Sequence, residues 1–191
     1  MLMNRIIGAF TFRRGVYAEV EMDEGFTTTA WVLVMVIAFL NQLGASASSN
    51  LGLWLRNAGG GTIAMLIAFA LGTYIVQWVG RALFNAEVTF GEMVRTLGLA
   101  FVWLLVGVVG VLAAFIPGLA FLVTPAFLMA LILGLIAWLV ATKEALDLPW
   151  LQTIITVILG WIALMVVMFI SGTVLALLGL TAAGVGGLLG S

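Results

Sequence analysis

Long apolar runs broken by short polar punctuation set the plan of this chain. From Thr96 to Thr142 there are 47 consecutive residues without a charge. A bilayer core of about 30 Å is crossed by about 20 apolar helical residues, so this run holds two spans and a turn. Pro117-Gly118 lies near its middle, where a helix must stop and reverse. The pattern therefore predicts spans near 97–116 and 121–141. Thr28–Leu43 and Thr62–Phe84 form two more upstream, and 151–178 reads as a fifth. Ser171-Gly172 leaves a sixth span open, but the glycines among residues 179–191 make a poor helix, and five is the favoured number. The expected fold class is an all-α polytopic transmembrane bundle at 27–191, preceded by a surface segment at 1–26.

Polar punctuation is densest at 85–98, NAEVTFGEMVRTLG. Thr89-Phe90-Gly91-Glu92 fits a capping box, in which the Thr hydroxyl accepts from the Glu92 amide and the Glu carboxylate accepts from the Thr89 amide. Val88 and Met93 are placed for a hydrophobic staple. Glu92 and Arg95, three apart, share a helix face. The segment thus starts the third helix in the headgroup region. Residues 1–26 carry Ile6, Ile7, Phe10 and Phe12, then Arg13-Arg14, then Val16, Tyr17 and Val20 among acids. The segment reads as lying on the membrane with its arginines at the phosphates. Glu19, Glu21, Asp23 and Glu24 lack the ligand order of a calcium loop and read as a solvated face. At 143–150, KEALDLPW, the fifth helix is expected to start near Pro149.

Composition sharpens this picture. The chain is 64 % hydrophobic and 8 % charged, with mean hydropathy +1.30, against about 25 % charged in soluble domains. A net charge of −1 offers no basic footprint for nucleic acid. With neither cysteine nor histidine, thiolate chemistry, Cys/His metal sites and the usual haem ligand are excluded. The expectation is a non-enzymatic protein with no catalytic residue, metal site or cofactor.

Positive charge orients a bundle. Placing the N-terminus inside puts Arg5, Arg13, Arg14, Arg81, Arg95 and Lys143 on the cytoplasmic side and only Arg56 opposite. Trp31, Trp78, Trp138 and Trp150 fall near the same span ends, where indoles anchor. Ala45-Ser46-Ala47 looks like a cleavage site, but the acids before the first span do not suit a signal-peptide n-region, and the segment is expected to be retained.

Inside the hydrocarbon the second span offers Thr73, Tyr74 and Gln77, and the first ends in Asn41-Gln42. A polar side chain in a bundle commonly bonds across helices, yet these residues also outline the alternative, a small-solute channel or carrier. Ala64, Ala68 and Gly72, and likewise Ala126, Ala130 and Gly134, recur at every fourth residue and are expected to let helices pack closely. Arg13, Arg14, Glu92, Arg95 and Lys143 are the candidate partner contacts at the cytoplasmic surface.

RIIGAFTFRRGVYAEVEMDEG, the NQLG ending the first span, VTFGEMVRTLGLAFVW and IAWLVATKEALDLPWLQTI occur in an order that resembles the Yip (Ypt-interacting protein) family over most of the chain. That resemblance implies a five-span bundle with a cytosolic N-terminus. Eukaryotic members act in vesicle trafficking and contact prenylated small GTPases. This chain has almost no soluble N-terminal region and is more similar to compact prokaryotic members, so GTPase binding is not carried over. The expectation is an accessory or organising component in a bacterial cytoplasmic membrane. Its partners would be membrane lipids and other integral membrane proteins of a multi-subunit complex.

Overall fold

A computed structural model describes residues 2–177. Among them all regular structure is helical, with no strand. Two short helices, α1 (Leu2–Phe10) and α2 (Val16–Glu21), precede α3 (Phe26–Ala45) and α4 (Leu51–Phe84). The third span begins as α5 (Phe90–Ala100), tightens to a 3-10 helix at Phe101–Val108 and ends as α6 (Val109–Phe115). A 3-10 turn at Pro117–Leu119 reverses the chain into α7 (Ala120–Leu146), followed by α8 (Trp150–Leu177). Five helical segments are long and apolar enough to cross a bilayer: Phe26–Ala45, Leu51–Phe84, Phe90–Phe115, Ala120–Leu146 and Trp150–Val167. The sixth-span alternative falls mostly on residues 178–191, outside the described residues.

Local chemistry sets the boundaries. The capping box forms as read: Glu92 N donates to Thr89 Oγ1 at 3.2 Å, and Thr89 N donates to Glu92 Oε2 at 2.6 Å. Val88 and Met93 are both buried in the core on either side of it. Asn85 and Asp147, with φ of 53° and 50°, end α4 and α7 in the left-handed conformation that suits Asn and Asp. The second helix is longer than the apolar run alone predicted. Asn50 caps it by accepting from Leu53 N at 3.0 Å, and the helix continues through Arg56 and Gly59–Gly61.

Close helix approach occurs where the sequence stripes did not mark it. A Cβ on Gly44 of α3 would stand 1.9 Å from the Gly107 carbonyl oxygen, and one on Gly110 would stand 2.5 Å from the Gly44 oxygen. Asn41, one turn before Gly44, donates from Nδ2 to Leu104 O at 2.9 Å. Here the absence of side chains at three glycines lets α3 and the third span meet backbone to backbone, and the Asn bond fixes their register. Gly160 of α8 does the same against Val76, where a Cβ would be 2.7 Å from Cγ2.

The small-residue stripes serve differently. Ala68 and Gly72 on α4 and Ala130 and Gly134 on α7 line an apolar crevice of about 300 Å³, with Trp103, Trp138 and Trp161 among its walls. Gly72 faces Leu164 of α8 and Gly134 faces Trp103, so neither stripe meets the other. Ala64 is exposed and Ala126 half-buried. Four of the six positions border that crevice, and at Gly134 the third span comes close, a Cβ there standing 3.3 Å from Trp103 Cβ.

Candidate functional site

The end of the bundle that carries the N-terminus gathers most of the charge. Residues 2–26 pack one face against the bundle. Ala9, Val16, Tyr17 and Val20 are buried in the core of the bundle, and Phe10 and Phe12 pack on Trp103 with ring centroids 5.0 and 5.6 Å away. Leu2, Met3 and Ile7 stay exposed along α1. The segment is a two-sided cover, one face on protein and the other outward.

Its acids are not one solvated face. Arg5 bonds Glu19 at 3.0 Å and Asp23 at 2.7 Å, and Arg13 bonds the second oxygen of Glu19 at 2.7 Å. Glu19 lies in α2 and Asp23 just beyond its end, and their shared partner Arg5, 14 residues before Glu19, has no local signal in the sequence. Burial works against the Arg5 charge, but its two carboxylate bonds outweigh that and raise its pKa. The same bonds hold Glu19 and Asp23 below the usual carboxylate range.

Arg95 departs from expectation. It is only 6 % exposed and turns inward into the bundle, not outward as a surface contact. Its Nε donates to the Glu21 carbonyl at 2.8 Å, Nη2 bonds the same oxygen, and Nη1 donates to Thr27 Oγ1 at 3.1 Å. A buried cation must have its donors satisfied, and the turn between α2 and α3 supplies the acceptors. Arg95 is therefore the clip that fastens the N-terminal cover to the third span. Beside it the Glu21 carboxyl is pushed up to about 7, first by burial and then by the charges of Asp147, Glu92 and Glu144, with Arg95 opposing.

The other candidate contacts divide. Arg13 and Arg14 are exposed at the turn between α1 and α2, and Arg13 is ion-paired. Glu92 is held in its capping box. Lys143 is half-buried, 3.8 Å from Glu144 and 5.6 Å from the centre of the Trp150 ring. The structure brings Glu92, Arg95 and the α7 end together around Glu21. Arg13 and Arg14 stand at a separate turn of the cover.

Polar residues within the spans are engaged or scattered. Gln77 is buried and donates from Nε2 to Val88 O at 3.0 Å, tying α4 to the connection that precedes the capping box. Asn41 is committed to Leu104. Thr73 points inward and Tyr74 outward. Gln77 and Tyr74 border one surface hollow, but neither Thr73 nor Asn41 does, so the four do not line a common passage. Among the described residues no group of three or more potential ligands is gathered to hold a metal ion.

The spans differ in how much they are covered. The apolar stretch of α7 is 11 % buried, against 44 % for the third span. Leu128, Met129, Leu131, Ile132, Leu135 and Ile136 are exposed along it.

Comparison with known proteins agrees with the fold. The model of the Yip1 domain family matches residues 7–172. No curated protein and no solved structure matches the chain.

Proposed function

The chain belongs to the Yip1 domain family, and from that premise we propose that this integral membrane protein works by contact and without catalysis, as an accessory or organising component of a larger membrane assembly. The observation that carries the reading is the bare apolar face of α7. Of the buried intramembrane polar side chains, Asn41 and Gln77 are bonded to backbone carbonyls as structural ties, while the Thr73 and Thr142 hydroxyls stand apart from each other without a hydrogen-bond partner. What remains for recognition is lateral helix surface and the thin layer at the N-terminal end. Helix faces of this kind associate by van der Waals packing, and a partner's span is the occupant that α7 fits.

The reading places the chain in a bacterial cytoplasmic membrane with the N-terminus inside. The distribution of Arg and Lys supports that orientation. Since the chain has no cysteine, Arg14→Cys gives a single reactive thiol. Labelling of that thiol by a membrane-impermeant reagent on intact cells would reverse the orientation.

Mild-detergent isolation from the native membrane tests the role itself. Other integral membrane proteins are expected at fixed stoichiometry, and a photo-crosslinker at Leu131 or Ile132 is expected to capture one of them. A lone monomer whose α7 crosslinks only to lipid would overturn the assembly role.

A further inference from the structure

We propose that the outward face of α4 is a binding track for one anionic phospholipid, with its phosphate on Arg81 and an acyl chain along Trp78, Tyr74 and Ile67. At 100° per residue, Ile67, Tyr74, Trp78 and Arg81 fall on a single stripe of α4. It lies opposite the face that lines the apolar crevice. All four are exposed, Ile67 by 54 %, Tyr74 by 57 % and Trp78 by 60 %. From Arg81 to Ile67 the stripe runs about 21 Å at the helical rise, close to half of a bilayer about 40–45 Å thick. Its order is that of a phospholipid in one leaflet: cation, two aromatics with polar tips, then aliphatic surface.

The head end is concave and uncommitted. Arg81 borders a hollow of about 380 Å³ with Tyr74, Gln77, Trp78 and Ala82. It also borders a second hollow of about 700 Å³ formed by the connection from Asn85 to Phe90. Glu87 and Glu92 edge the second hollow, but Glu92 is held in its capping box, and neither lies within ion-pair distance of Arg81. Among the described cations at this end, Arg5, Arg13 and Lys143 have acid partners and Arg95 is buried. Of the exposed cations described at this end only Arg81 and Arg14 have no acid partner, and only Arg81 stands at the top of an aromatic and aliphatic stripe. A zwitterionic lipid such as phosphatidylcholine offers the same phosphate, but its ammonium cancels the net charge beside the guanidinium, so charge complementarity favours an anionic headgroup.

The test is native mass spectrometry of the full chain in detergent, titrated with phosphatidylglycerol and, separately, phosphatidylcholine. Phosphatidylglycerol is expected to be retained in preference to phosphatidylcholine. Arg81→Gln should reduce its retention about fivefold, the worth of one cation at an anionic surface, and Arg81→Lys should restore part of it. Arg14→Gln, which removes the other free cation, should leave retention unchanged. The Arg81 side chain takes no part in the α4 cap, in which Asn85 N donates to the Arg81 backbone carbonyl, so the variants keep the fold. Equal retention of the two lipids, or equal losses in the Arg81 and Arg14 variants, would overturn the proposal in favour of diffuse surface charge. Displacement of phosphatidylglycerol by millimolar inorganic phosphate would overturn it in favour of a simple anion site.

Discussion

Replacing Arg95 with Met should release the N-terminal cover while leaving the five spans folded. Met keeps much of the apolar stem and removes every donor. Two losses follow: the doubly donated bond to the Glu21 carbonyl and the bond to Thr27. Hydrogen bonds from a charged group contribute about 1.5–3 kcal/mol each to stability. The two acceptors lie near the surface and regain water when the cover lifts, so a net effect of about 3 kcal/mol is reasonable. If α1 and α2 open locally, that amounts to about a hundredfold loss of hydrogen-exchange protection. The assay is hydrogen exchange resolved to peptides in detergent or nanodiscs. Amides of Val16–Glu21 should exchange faster by about that factor, while those within α3, α4 and α7 hold their wild-type rates. Unchanged protection at Val16–Glu21 would show that apolar burial of Val16, Tyr17 and Val20 alone holds the cover, and that Arg95 is not its clip.

Three further outcomes follow from the same geometry. Gly44→Ala should destabilise the bundle by about 3 kcal/mol or prevent folding, since its Cβ would stand 1.9 Å from the Gly107 oxygen; Gly60→Ala, with nothing within 4 Å, should be neutral or stabilise by up to about 1 kcal/mol, and thermal denaturation in detergent separates the two. Gln77→Leu should cost about 1–2 kcal/mol by leaving the Val88 carbonyl without its donor, and should change no solute flux in liposomes; abolished flux would restore the channel reading. Glu21 is neutral in both folded and unfolded chains well below pH 4.5. Between its ordinary value of 4.5 and about 7 the unfolded chain ionises first, so its contribution makes the folded state less stable as pH rises, with no further loss above that window. Glu21→Gln should lower the difference in melting temperature between pH 5 and pH 8, and an unaltered difference would exclude Glu21 as its source.

Much of this protein is written locally. The length of each apolar run, measured against bilayer thickness, determines where spans lie. Pro117-Gly118 and the Thr89–Glu92 capping box then act through bonds within a few residues of one another. Such features are legible because both partners sit in the same short stretch of chain. The outcome of Arg95 was not legible for the opposite reason. Whether it stays beside Glu92 three residues earlier, faces outward or turns inward depends on the Glu21 carbonyl, 74 residues away in sequence. The stripes at Ala68, Gly72, Ala130 and Gly134 carry the spacing of a packing face, yet spacing shows only which residues share a side of a helix. What stands opposite them is decided by Trp103 and Leu164 on other spans. Conversely, Gly44, Gly107 and Gly110 form no stripe on one helix, and become a contact only when α3 meets the third span. The sequence by itself determined where the five described spans lie and how they are punctuated, because those depend on solvent and on bonds between near neighbours. Tertiary structure alone decided which polar groups are ties and which described faces stay exposed, because whether a buried donor or acceptor finds a partner depends on which backbone the packing of distant spans brings within reach.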